Sequence, residues 1–295
     1  MSALISPPPV PRLLILGGTG RLGGLLRRAW GGGAEAGIAP VWQTRGAAPG
    51  AGDWLRVDPL AEPEALAAAA RAADVILCLS GVTAGDAKAL SLNVTLAEAA
   101  VAAAEAAGRP VFLASSAAVY GAGAPPGPEG WAEGDALAPA APYGAAKAAM
   151  EAACGGRPGI VILRIGNVAG ADALLGRAAP EGGRGLDIFA DGIGPRRAYI
   201  GPQALARALA RLTRLAAAGA DLPAVINLAL PGTVAMEALL TAAGAPYTAR
   251  PAPPGAIAEV ALDCARAVAL GLVPEAPVRA PALIADLMSL PDPES

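Results

Sequence analysis

A glycine turn set between an apolar strand and a helix constrains this chain more than any other feature in it. Arg12 to Leu16 reads as a buried strand, and Gly17-Gly18-Thr19-Gly20-Arg21-Leu22-Gly23 follows at once, opening a helix that runs to Trp30. The spacing Gly17-x-x-Gly20-x-x-Gly23 supplies a tight turn, a close approach of the backbone to a ligand, and a helix seated near the sheet. The free amides at the start of that helix suit a phosphate. Gly17, Gly20, Arg21, Leu22 and Gly23 are therefore candidate dinucleotide-binding residues.

The pattern beyond the turn fits a parallel sheet covered on both faces. Short apolar runs at Ile38–Gln43, Trp54–Val57, Asp74–Leu79, Val111–Ala114 and Ile160–Arg164 read as strands. Alanine-rich stretches at Pro63–Ala73, Lys88–Ala107 and Tyr143–Cys154 read as helices between them. Beyond Ile165 the pattern loosens, and the glycines and arginines of Gly176–Arg197 read as loops. A helix at Gln203–Ala217 and a strand at Ala224–Leu228 are expected to rejoin the sheet. Further helices are expected at Val234–Ala243, Ile257–Leu270 and Pro281–Leu290. The expectation is an α/β chain in three parts: a disordered lead-in (1–11), a nucleotide-binding domain (12–165), and a mixed region that completes the sheet and forms a small substrate lobe (166–295).

Composition excludes several classes of function. Histidine is absent from the 295 residues, which removes a Ser-His-Asp triad, a Cys-His pair and any histidine-ligated metal. The net charge of −3 and the lack of a basic run argue against a nucleic-acid partner. Cys78, Cys154 and Cys264 stand far apart and read as reduced cytoplasmic thiols. The long uncharged stretch Pro110–Pro128 holds four prolines and three glycines, so it is not a membrane span.

Two places bear on the cofactor. A carboxylate at the end of the second strand would hold the ribose of NAD, but that strand ends Gln43-Thr44-Arg45. Arg45, aided by Arg21, could instead pair with the 2′-phosphate of NADP, so NADP is favoured over NAD. Asp58 after the third strand could accept a hydrogen bond from the adenine. Ser80-Gly81 after the fourth could pass beneath the cofactor.

Acid/base chemistry without histidine falls to Tyr143-Gly144-Ala145-Ala146-Lys147. A tyrosine and a lysine at this spacing share a helix face, and a nearby ammonium favours the phenolate. Tyr143 could then exchange a proton with an alcohol or ketone. Ser115-Ser116 ends the fifth strand, where open α/β sheets bind ligands, and a hydroxyl there could polarise the reacting oxygen.

Taken in order, these motifs resemble the extended short-chain dehydrogenase/reductases, the NAD-dependent epimerase/dehydratase family. The resemblance rests on Gly17–Gly23, Ser115–Gly121, Glu133–Pro142, Tyr143–Lys147 and Arg164-Ile165-Gly166-Asn167-Val168, and fades after about residue 170. It implies a Rossmann-type, doubly wound parallel sheet and hydride transfer at a hydroxyl or ketone of a small, sugar-like or nucleotide-sugar substrate. It implies Tyr143 as acid/base, Lys147 on the nicotinamide ribose, and Ser116 as the hydroxyl beside the reacting oxygen. Asn93, Gly166 and Val168 would lie near the cofactor. Tyr120, Asn167 and Arg197 would face the substrate, with Arg184 and Arg196 the other basic residues open to a diphosphate. A homodimer through Leu92–Ala107 and Ala145–Ala153 is expected from the same resemblance. A silent NADP-binding sensor and a scaffold subunit are the alternatives on the same fold.

Overall fold

The computed structural model describes residues 10–31, 36–177 and 184–292. Most of the expected lead-in lies outside the described residues. The chain runs β1 (Arg12–Leu16), α1 (Arg21–Trp30), β2 (Ala39–Thr44), β3 (Asp53–Arg56), α2 (Pro63–Arg71), β4 (Val75–Cys78), α3 (Ala87–Ala107) and β5 (Val111–Ser116). A single 3-10 turn at Ala117–Val119 leads on to α4 (Pro142–Cys154), β6 (Ile160–Ile165) and β7 (Asn167–Val168). Then come β8 (Arg184–Ile188), β9 (Arg196–Arg197), β10 (Tyr199–Ile200), α5 (Pro202–Ala217), β11 (Val225–Leu228) and β12 (Val234–Ala235). The last elements are α6 (Met236–Ala242), β13 (Tyr247–Pro251), β14 (Glu259–Val260), α7 (Ala265–Ala269) and α8 (Ala280–Met288).

Seven strands form one parallel sheet in the order β11-β6-β5-β4-β1-β2-β3. The order reverses at β1, the doubly wound arrangement of a Rossmann sheet. Alternation along β1 shows how both faces are covered. Leu13 and Ile15 pack with Leu26 and Trp30 of α1 and Leu205 and Leu209 of α5. Leu14 and Leu16 pack with Leu66 of α2, Ala97 and Val101 of α3 and Met150 of α4. Each fully buried leucine contributes about 2 kcal/mol, so this double-sided core carries the sheet. By length and composition α3 could cross a membrane. Here Ala97, Ala100 and Ala104 give it a narrow buried face between α2 and α4.

Helix starts matter because they set where the polar residues stand. Pro142 occupies the first turn of α4, where its missing N–H costs nothing, and it places Tyr143 at the helix entrance. Asp86 caps α3 by accepting from the Ala89 amide at 2.8 Å.

After β6 the structure departs from expectation. The segment expected as one helix over Ile257–Leu270 divides into strand β14 and short α7. Its first part pairs with β9, and Leu262 bridges to Trp131, so backbone pairing overrides the helix preference of its alanines. Gly176–Arg197, read as loops, also contains paired strands: β8 with β13, and β9 with β12 and β14.

Candidate active site

The carboxyl ends of the central strands open on a cavity of about 570 Å³. The glycine turn forms one wall. At Gly17 the backbone has φ +86°, and a β-carbon there would lie 2.7 Å from the Ser80 amide nitrogen. At Gly23 it would lie 2.5 Å from the Gly18 carbonyl oxygen. Both positions demand glycine, and together they leave a shallow cradle against α1. The Gly20 N-cap offers no side chain and the first turn holds no acidic residue, so its amides are uncapped. Those features fit a dinucleotide pyrophosphate at this helix terminus. Gln43, unremarked in the sequence, braces the turn: its Oε1 accepts from the Gly17 amide at 2.9 Å and its Nε2 donates to the Val57 carbonyl at 2.7 Å.

Gly17, Gly20, Arg21, Leu22 and Gly23 all line this cavity. Asn93 and Lys147 line it further along, as do Gly166, Asn167 and Val168. Asn93 is fully buried and closes the β4–α3 loop, accepting from the Val82 amide at 3.2 Å and donating to the Val82 carbonyl at 2.9 Å. Ser80 does not line the cavity itself, but its backbone runs directly behind Gly17.

Arg45 and Asp58 stand outside the cavity, near one another. Asp58 Oδ1 accepts from the Leu60 and Ala61 amides at 2.9 and 3.3 Å, which holds its carboxyl below the usual range. It is a turn former ahead of α2, and Arg45 remains exposed at the end of β2. Among the described residues no carboxylate follows directly on β2.

Tyr143, Ser116 and Lys147 meet in the cavity. Burial pushes the Tyr143 phenol up, while a hydrogen bond from the Ser116 hydroxyl opposes that shift. The Lys147 ammonium donates to the Ala114 carbonyl at 2.8 Å, where burial favours its neutral form. Sharing a helix face brings the two residues to one cavity but leaves the lysine directed at β5.

Two expected substrate residues do not face the cavity. Tyr120 is wholly buried, donating to Asn227 Oδ1 at 2.7 Å and accepting from Arg164 Nη1 at 2.9 Å. Arg197 donates to the carbonyls of Arg196, Ile257 and Ala258 at 2.8–3.2 Å, so it stitches β9 to the β14 segment. Arg196 faces Glu259 at 3.7 Å, and Arg184 donates to the Arg177 carbonyl at 2.7 Å. Arg177 and Asp172 line the cavity instead. Nothing in the sequence marked either of them. Asp172 is held by the Tyr199 hydroxyl at 2.7 Å and the Leu175 amide at 3.0 Å.

Comparison with known proteins identifies the family and the fold. The model of the NAD dependent epimerase/dehydratase family matches residues 13–186, which includes the glycine turn, Ser116, Tyr143 and Lys147. The chain belongs to that family. Members and their relatives in the short-chain dehydrogenase/reductase superfamily share its architecture. A UDP-glucose-4-epimerase from Stenotrophomonas maltophila, solved with NAD and formylated UDP-arabinopyranose, superposes with a TM-score of 0.73 at 20% identity, covering 94% of this chain and 96% of that one. The NAD-dependent NDP-hexosamine 5,6-dehydratase TunA gives a TM-score of 0.70 at 22% identity over 97% of this chain and 100% of its own. A short-chain dehydrogenase/reductase superfamily protein from Agrobacterium tumefaciens with bound NAD gives 0.69 at 17%, covering 94% and 96%. At such identities the likeness establishes the fold. No curated protein matches the chain in sequence.

Proposed function

We propose that this epimerase/dehydratase family member is a nicotinamide-dinucleotide-dependent enzyme acting at a hydroxyl or ketone of a sugar-sized substrate, with Tyr143 as acid/base. The observation that carries the reading is the convergence of Tyr143, Ser116 and Lys147 with the uncapped α1 terminus on one cavity. When bound, the nicotinamide supplies hydride transfer to or from the substrate carbon. The chain's own residues handle binding and the proton. The glycine cradle and the amides of α1 hold the pyrophosphate. Lys147, already fixed on β5, holds the nicotinamide ribose. The Tyr143 phenol is protonated at neutral pH and so has a proton to give to a ketone oxygen; burial makes it a weaker acid, and the Ser116 hydrogen bond offsets part of that. The reverse proton transfer, from an alcohol, is favoured as pH rises toward the phenol's raised range. Ser116 stabilises charge on the phenolate or on the reacting oxygen.

The adenosine end favours NADP in this reading, because β2 ends without a carboxylate and Arg45 is exposed there. Of the structural relatives named above, the epimerase and the Agrobacterium protein were solved with NAD, and TunA is described as NAD dependent. A nucleotide sugar, as in those relatives, would need a basic clamp, and Arg184, Arg196 and Arg197 are engaged within the protein. The substrate is accordingly read no further than its hydroxyl or ketone. A homodimer through α3 and α4 belongs to the same proposal.

The test is Tyr143→Phe, assayed for NAD(P)H formation or consumption at 340 nm against UDP-glucose and a panel of sugars and ketones. Turnover should fall by about 10²–10⁴-fold while NADPH affinity stays within about twofold. Equal turnover in the variant would refute the assignment.

A further inference from the structure

A buried polar network lies under the α4 pair, and the reading above makes no use of it. Glu151 stands one turn beyond Lys147 on the same helix face. Its side chain is 5% exposed and accepts from Arg164 Nη2 at 2.7 Å and from Arg164 Nε at 3.0 and 3.2 Å. The Ser115 hydroxyl donates to it as well. Arg164 Nη1 continues to the Tyr120 hydroxyl at 2.9 Å and the Glu133 carbonyl at 3.0 Å. Helix α4 is thus tied to β5 at two consecutive residues, by Lys147 to Ala114 and by Glu151 to Ser115. The next residue along the strand is Ser116, which meets Tyr143.

A buried ion pair seldom stabilises a fold more than apolar side chains filling the same space would. Its position here suggests a second role. The Lys147 ammonium is buried, and four groups besides the Ala114 carbonyl bear on it. Met150 of its own helix lies 4.0 Å away and Asn93 of α3 stands across Gly81, while Cys78 of β4 and Glu151, one turn further along α4, act on its charge from a longer range. Burial holds the Cys78 thiol up at about 11, so it is neutral at physiological pH. Glu151 is the anion among them.

We propose that Glu151 is a positioning residue for Lys147: anchored by Arg164 and Ser115, it fixes α4 on β5 so that the ammonium stays on the Ala114 carbonyl, with a buried carboxylate one turn away to act on that charge. The proposal rests on the reading of Lys147 as the residue that holds the cofactor ribose. Arg164 and Ser115 act through Glu151, and Ser115 thereby takes a role distinct from that of Ser116.

The chain makes the test direct, because Lys88 and Lys147 are its two lysines. Lysine labelled with ¹³C at the ε carbon gives two signals, and Lys88→Arg assigns them. In Glu151→Gln the Lys147 midpoint should fall by about one pH unit while Lys88 stays in place. NADPH affinity at pH 8 should fall by about tenfold, and Glu151→Asp should restore most of both. An unmoved Lys147 midpoint in folded Glu151→Gln would overturn the proposal. Should that variant fail to fold, the wild type decides: the Glu151 carboxyl carbon should step at the pH where Lys147 titrates, and no step overturns the claim. If wild-type protein binds neither NADPH nor NADH, the cofactor role of Lys147 fails, yet its titration still decides whether Glu151 holds it.

Discussion

The seven-stranded sheet and the small sheets beyond Ile165 are held together by different forces. In the large sheet, β1 and β4–β6 are nearly all apolar and buried on both faces. The core does the holding, and polar side chains such as Ser116, Tyr143 and Arg21 are left at the strand and helix ends, facing the cavity. Beyond Ile165 the strands are short, the apolar clusters are smaller, and arginine contacts add to them. Arg197 binds three carbonyls, Arg250 pairs with Asp187 at 2.6 Å, and Arg266 pairs with Glu133 at 3.3 Å. The difference teaches why the strand ends of the large sheet read as chemistry and the arginines of the small sheets as structure. A chain can leave a polar group free for a ligand only where something else carries the fold.

The largest expected effect sharpens the first side of that comparison. Gly17→Val places a branched side chain at φ +86° and drives its β-carbon to 2.7 Å from the Ser80 amide nitrogen. It should cost about 3 kcal/mol of stability by urea denaturation and abolish dinucleotide binding. A stable variant that still binds would show that the turn is not packed against Ser80.

Arg197→Ala tests the other side. Loss of its three carbonyl bonds should cost about 1–3 kcal/mol, with NADPH affinity unchanged. If stability held and substrate KM rose alone, Arg197 would be reading substrate after all, and the contrast between the halves would break.

An effect confined to alkaline pH compares two buried thiols, one in each region. Burial holds Cys264 up to about 12, from an ordinary 9.0, and Cys78 up to about 11. Below about pH 9 both contributions are fully present. As pH rises further, the unfolded chain releases these protons and the native chain does not, so stability falls. Each thiol adds a slope of about 1.4 kcal/mol per pH unit in that window. Cys264→Ala should flatten the alkaline arm above pH 9, and an unchanged arm would mean that the native thiol ionises freely.

Much of the large sheet was legible in the sequence for a physical reason. Strands buried on both faces must be continuously apolar, and parallel topology sends their carboxyl ends to one place. Reading Gly17–Gly23, Ser116 and Tyr143 in order therefore located the cavity. The contacts of Lys147 were not legible, because helix spacing gives a shared face and not the direction of a long side chain. Glu151 could have been found, since it repeats the four-residue step from Tyr143 to Lys147 once more. Arg197 and Tyr120 could not. Their partners are carbonyls and an asparagine brought in from Ile257, Ala258 and Asn227, and no spacing rule links such distant segments.

The central claim is that the strand-end cavity of the large sheet holds a nicotinamide dinucleotide whose adenosine end meets Arg45. Fluorescence titration of wild type and Arg45→Ala with NADPH and NADH tests it most directly. The account predicts that both cofactors bind the wild type, NADPH the tighter, and that the variant loses about tenfold for NADPH and little for NADH. Binding of neither cofactor would contradict the claim outright, and an unchanged NADPH affinity in Arg45→Ala would remove the arginine from the site.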